Sequence, residues 1–165
     1  MVLEQIILAI WIMLPAYTSN GLAPLSGKLK KTHPMDFNKK LNKHRILGDG
    51  KTWEGFIIGV ACGTIVGIIL SFFTEITVFL GFIIAVSALI GDLIGSFIKR
   101  RLDLGRGGKA PLLDQLDFMI FVIVFTYVLI DYTLIMVGFM LILTYLLHRA
   151  TSIIGYKMNI KREPW

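Results

Sequence analysis

Residues 91–117 read GDLIGSFIKRRLDLGRGGKAPLLDQLD and hold four of the eleven acidic residues of the chain and five of its seventeen basic ones. The acids are Asp92, Asp103, Asp114 and Asp117; the bases are Lys99, Arg100, Arg101, Arg106 and Lys109. Long apolar runs flank the stretch on both sides. Both charge signs gathered at the ends of apolar helices suit phosphate and divalent-metal chemistry at a membrane surface. Asp92 falls inside an apolar run, where a carboxylate is costly and marks a functional site by default. Ser96, Lys99 and Arg100 follow it at four, seven and eight positions, so the four share one helical face and form the candidate catalytic set. A structural ion pair between Asp92 and Lys99 or an arginine is the plainer alternative.

Asp114 and Asp117 are three apart and share a face of a helix that Pro111 is suited to begin. Two carboxylates this close repel unless a cation lies between them, so with Asp92 they are the candidate metal ligands, for Mg²⁺. The bland alternative is that they complement the helix dipole. Arg101, Arg106, Gly107, Gly108 and Lys109 are candidate anion contacts. Glycines at 105, 107 and 108 would let the chain wrap a phosphate. The plainer reading of some of these bases is as topology determinants or lipid-headgroup contacts.

A second glycine-rich stretch, LGDGKTWEG, runs from Leu47 to Gly55. It is not a Walker A loop, because Arg45 stands where that motif needs glycine and no strand precedes it. Gly48, Asp49, Gly50, Lys51 and Thr52 remain candidates for binding a nucleotide, through backbone N–H groups and the lysine. Asn20, at the inner end of the first apolar run, is a candidate too, with an interfacial belt as the alternative.

The elements that must position these groups are membrane helices. The chain has 165 residues, is 55% hydrophobic and has a mean hydropathy of +0.73. Apolar runs of about 20 residues cross about 30 Å of hydrocarbon, and the pattern predicts an all-α polytopic membrane protein of a single domain. About five spans are expected, near 3–18, 56–73, 76–95, 112–130 and 132–150. Two polar loops, 20–54 and 96–111, would form the site. Pro15 is expected to kink the first span. Glycines at 55, 59, 63 and 67 make a stripe along the second span that lets a neighbouring backbone approach closely. All seventeen Lys and Arg fall in the two loops or the last eighteen residues, whereas the opposite segments carry only Glu4, Glu75 and Asp131. That asymmetry predicts an outside N-terminus, a cytoplasmic C-terminus and a site facing the cytoplasm of a cell-membrane protein. The net charge of +6 is thereby read as topology, with no nucleic-acid partner expected. The lone Cys62 lies in an apolar run and forms no ligand spacing. His148 and Arg149, near the end of the last span, could touch anions or simply close the helix.

Ser96, Lys99-Arg100, the glycines at 105–108, Pro111 and Asp114-Gln115-Leu116-Asp117 together resemble the signature of the CDP-diglyceride synthetase (phosphatidate cytidylyltransferase) superfamily. The bacterial pattern usually closes with Asp-Arg-x-Asp after a His-Gly-Gly; here Gln115 replaces the arginine and Arg106-Gly107-Gly108 stands near the His-Gly-Gly place. Those departures, the short length, Asn20, Pro34-Met35-Asp36-Phe37, the Leu47–Gly55 stretch and Pro164-Trp165 are more similar to the archaeal branch, the CDP-archaeol synthases. The resemblance covers essentially the whole chain. It implies transfer of CMP from CTP to an isoprenoid ether-lipid phosphate (2,3-bis-O-geranylgeranyl-sn-glycerol 1-phosphate), with Mg²⁺ and release of pyrophosphate. Another lipid phosphate, such as phosphatidate, is the nearest alternative substrate. A small transporter subunit with Asp92 as ion relay is the competing class, but a transport path needs polar groups through the midplane, and here the polar residues gather at one face. A scaffold protein leaves the Asp-x-x-Asp pair unexplained.

Overall fold

Helix α1, Val2–Leu22, contains Pro15 and ends before Pro24, which opens a 3-10 turn at Ala23–Lys28. The computed structural model describes residues 2–41, 44–104, 110 and 112–157. After the 3-10 turn the chain makes a polar excursion whose neck is closed by two backbone bonds, Met35 N–H to the Lys51 carbonyl (3.0 Å) and Trp53 N–H to the His33 carbonyl (2.9 Å). Within it, strands β1, Lys40–Leu41, and β2, His44–Arg45, pair antiparallel. As Pro24, Pro34 and the glycines suggest, no long helix forms there among the described residues.

Helix α2, Trp53–Ser71, is started by Thr52, whose hydroxyl accepts from Gly55 N–H at 3.1 Å, an N-cap that satisfies a helix-end donor. Helix α3, Val78–Arg101, is capped in the same way by Thr77. Helices α4, Leu113–Thr126, and α5, Leu134–Lys157, complete the bundle. Helix α1 touches all four others, α3 packs most extensively on α4, and α5 rests on α1 and α4.

Two differences from the sequence expectation bear on the site. Among the described residues, four of the five α-helices are long and apolar enough to cross a membrane: Val2–Lys28 with its 3-10 extension, Trp53–Ser71, Val78–Arg101 and Leu134–Ile154. Helix α4 is not, because its 14 residues rise only about 21 Å. It stops where the Thr126 hydroxyl donates to the Val122 carbonyl (2.6 Å) and meets the Tyr132 hydroxyl (2.8 Å), which folds the chain back toward α5. Helix α3, in contrast, continues past the expected boundary at 95. Its 24 residues span about 36 Å, more than about 30 Å of hydrocarbon. Lysine and arginine are good helix formers and are favoured at a helix C-terminus, so Lys99, Arg100 and Arg101 are its last turn rather than a loop. That overhang carries them into the layer where the polar excursion lies.

Glycines draw the helices close enough to fix this geometry. A β-carbon at Gly59 would lie 2.7 Å from the Ser19 carbonyl oxygen of α1, one at Gly63 2.9 Å from the Pro15 carbonyl oxygen, and one at Gly67 2.7 Å from the Gly81 α-carbon of α3. The Ser19 hydroxyl adds a bond to the Ala85 carbonyl at 3.0 Å, and the Tyr17 ring meets Phe118 edge-on at 5.3 Å between centroids. Gly67→Val is therefore expected to lower stability by about 1–3 kcal/mol, the usual cost of forcing extra volume into a packed contact. A thermal melt of the detergent-solubilised protein measures it, with Gly138→Ala, where nothing lies within 4 Å, as the unchanged control.

Candidate active site

Asp36 organises the polar excursion. Its carboxylate is buried, accepts from Asn38 N–H (3.1 Å) and Leu47 N–H (3.2 Å), and forms an ion pair with Arg45, including a bond from Nε at 3.2 Å. Arg45 also reaches Asp49 at 2.8 Å. Burial by itself would raise the Asp36 carboxyl, but the bonds from Arg45, Leu47 and Asn38 and the Arg45 charge outweigh it and hold the carboxyl below the usual carboxylate range. This knot turns the chain so that Gly48, with a φ of +89°, passes against the Arg100 guanidinium. Lys51 then pairs with Asp92 of α3.

The ends of α3 and α4 supply the remaining charges. Lys99 donates to Asp114 at 2.8 Å, and the other Asp114 oxygen accepts from Ala110 N–H at 2.9 Å. Asp117 is only 6% exposed; one oxygen accepts from Phe118 N–H at 2.7 Å. The rest of its carboxyl lies where a Gly95 side chain would be, and it lies within electrostatic reach of Asp92, Lys99 and Lys51. Asp114 and Asp117 thus take different partners despite their three-residue spacing, while Asp92 and Asp117 are neighbours across the α3–α4 crossing.

Two cavities open at this end and share Gly50 and Lys51. The larger, about 420 Å³, is also lined by Lys40, His44, Arg45, Leu47, Gly48, Asp49, Ser96, Lys99 and Arg100. Six of its lining side chains are basic and one is acidic, which suits a polyphosphate. The smaller, about 110 Å³, combines Asn20, Thr52 and Asp92 with the apolar side chains of Met35, Phe56, Leu89 and Leu93. The structure therefore brings together Asn20, Gly48, Asp49, Gly50, Lys51, Thr52, Asp92, Ser96, Lys99 and Arg100 around one mouth. Asp49 is tied to Arg45, and Thr52 is the cap of α2. The Arg101 guanidinium lies outside the cavity lining and bonds to backbone carbonyls of the excursion. Arg149 donates to the Tyr145 hydroxyl of its own helix. Arg106, Gly107, Gly108 and Lys109, like Gly105, Pro111, Pro164 and Trp165, lie outside the described residues.

A divalent cation fits the acids of this mouth in one way. Among the described residues no three His, Cys, Asp or Glu side chains converge. Mg²⁺ usually takes one or two carboxylates and completes its shell with phosphates and waters, and the Asp92–Asp117 pair beside a basic cavity matches that habit. Sequence reasoning missed Asp36 and Arg45 as the pair that shapes the loop, and Gly95 as the seat of Asp117. Pro34-Met35-Asp36-Phe37 stood out only through the family resemblance, and the Arg45 partner nine residues on was not visible.

The chain matches the family model described as CarS-like, CDP-archaeol synthase, over residues 2–165. It is 40% identical over 163 residues to the CDP-archaeol synthase of Pyrobaculum calidifontis, covering 98% of this chain and 97% of that one. With that of Pyrococcus horikoshii it shares 42% identity over 173 residues and the full length of both. A solved structure of an intramembrane enzyme for archaeal membrane lipid biosynthesis superposes with a TM-score of 0.80 at 37% identity, covering 90% of this chain and 94% of that one.

The Asp36 knot has a pH signature. Its carboxyl is depressed in the folded loop, so its stabilisation is fully present above the ordinary aspartate value of about 3.9 and is lost as pH falls through the lower folded value. Amide exchange at Ile46 and Leu47 is expected to stay slow from neutral pH down to that range and to lose protection below it. Asp36→Asn should lack protection already at neutral pH.

Proposed function

The chain belongs to the CDP-archaeol synthase family, and from that membership we propose that it transfers CMP from CTP to 2,3-bis-O-geranylgeranyl-sn-glycerol 1-phosphate, giving CDP-archaeol and pyrophosphate. It is a multi-pass membrane enzyme. The observation that carries the substrate reading is the basic cavity at the helix ends, joined at Lys51 to a half-apolar one. The Lys and Arg distribution supports a site facing the cytoplasm.

The reaction is attack of the lipid phosphate oxygen on the α-phosphorus of CTP, which forms one P–O bond and breaks the bond to pyrophosphate. A phosphate monoester is already largely ionised at neutral pH, its second pKa being about 6, so no strong general base is required. What remains is positioning and neutralisation of charge. Arg100, beside Gly48 on the cavity wall, and Lys99, oriented by Asp114, would stabilise the departing pyrophosphate. Lys51 and the backbone of Gly48–Gly50 would hold the nucleotide phosphates, with Ser96 and Asn20 lining the same mouth. Asp92 and Asp117 would hold Mg²⁺, with Asp114 close by on the Lys99 side. Bound there, the ion would offset the negative charge of the phosphates. Lipid tails would enter between helices while the headgroup meets the polar layer. In the Lys51–Asp92 pair the lysine would turn to phosphate and the carboxylate to the metal, so loading both ligands exchanges partners without stranding either charge.

Purified protein supplied with CTP, Mg²⁺ and the isoprenoid glycerol phosphate is expected to release pyrophosphate. A greater rate with phosphatidate would move the substrate to the diacyl class, and no release with either would reject the reading. Asp117→Asn is expected to abolish turnover while the protein still inserts and melts normally; near-normal activity would remove Asp117 from the metal site. Lys99→Ala should fall by about 10²-fold or more in kcat, and unchanged kinetics would take it out of the mechanism. Gly95→Ala puts a methyl group where the Asp117 carboxyl lies, so it is expected to cut kcat at least about tenfold. Gly91→Ala, whose β-carbon would lie 2.8 Å from the Phe118 α-carbon, is expected to lose stability.

A further inference from the structure

Three basic residues close α3, and they do not point the same way. Successive helical residues are turned by about 100°, so Lys99 reaches Asp114, Arg100 faces Gly48, and Arg101 is directed to the hairpin β1–β2. Its Nη1 donates to the Leu41 carbonyl at 2.8 Å and its Nη2 to the Arg45 carbonyl at 3.3 Å. The guanidinium also lies over the Phe97 ring, 5.3 Å from its centroid. His44, beside Arg45 on β2, pairs with Asp103 just beyond the helix end. A planar guanidinium can serve two carbonyls and a ring face at once, whereas an ammonium is a point charge.

The hairpin needs such ties. Its strands are two residues each, and an isolated two-stranded ribbon is marginal at best. Yet Lys40, His44 and Arg45 enter the basic cavity from it, and it leads directly into Gly48–Lys51. We propose that Arg101 is a positioning residue: it fastens the hairpin to the overhanging end of α3 and so holds the cavity wall opposite Lys99 and Arg100 in register for the polyphosphate. This rests on the nucleotide reading of the cavity, and the role is distinct from that of a phosphate ligand.

The test compares Arg101→Ala and Arg101→Lys in the full-length protein. Both are expected to raise KM for CTP about tenfold while kcat changes less than about threefold. Both should also speed amide exchange at Ile46, whose N–H bonds the Lys39 carbonyl, by about tenfold in ligand-free protein. Lysine should rescue neither readout. Recovery of KM by lysine, with hairpin exchange unchanged in both variants, would make Arg101 a direct charge contact and overturn the proposal. Unchanged KM and exchange in the alanine variant would overturn it as well. Should the wild-type protein fail to use CTP, the functional reading falls by itself. Equilibrium binding of inorganic pyrophosphate to the same variants then decides the positioning role: weakened binding in both supports it, and equal affinity rejects it.

Discussion

The ion pair between Lys51 and Asp92 is the contact on which the polar end of this molecule depends. Asp92 is carried by a membrane helix, where an unpaired carboxylate is costly. Its partner comes from a loop 41 residues earlier in the chain. The pair therefore does two things at once. It neutralises an intramembrane charge, and it pins the excursion that follows α1 onto the face of α3. The two cavities meet at this point, since Lys51 lines both.

That pin works only because the surrounding backbone is rigid. The glycines of α2 let α1 and α3 approach to backbone contact, Gly91 does the same for α3 against α4, and Gly95 leaves room for the Asp117 side chain. Close packing of this kind has few alternative arrangements. Helix α3 is longer than the hydrocarbon it crosses, so its last turn is delivered into the polar layer at a set height. The Asp36–Arg45 knot and the closed neck at His33–Met35 and Lys51–Trp53 set the height of the opposing wall.

The resulting mouth is balanced in charge. Lys51 and Lys99 are paired with Asp92 and Asp114, and the surplus of positive charge lies on the cavity wall. Such an arrangement keeps a half-buried set of charges satisfied without ligands and still leaves a strong field for a polyanion. It suits a phosphoryl-transfer reaction in which position and neutralisation, rather than proton transfer, lower the barrier.

Much of this was legible in the residues alone. Apolar runs dictate membrane helices whatever their neighbours, because unsatisfied backbone groups are too costly in lipid. The four-residue glycine spacing specified close packing, and the Ser96, Lys99-Arg100 and Asp114–Asp117 spacing carried the family resemblance. Helix ends were less legible: α3 ran on to Arg101 and α4 stopped at Thr126, because capping and tertiary packing, not hydropathy, decide where a helix stops. Pairings were not legible. Nothing in local spacing says that Lys51 meets Asp92, that Asp114 takes Lys99 while Asp117 settles against Gly95, or that Arg101 turns from the cavity to the hairpin. Periodicity sets which residues share a helical face, and it acts within a few turns. Which charge finds which partner depends on how separate helices cross, so it was decided only when the tertiary structure brought their ends together.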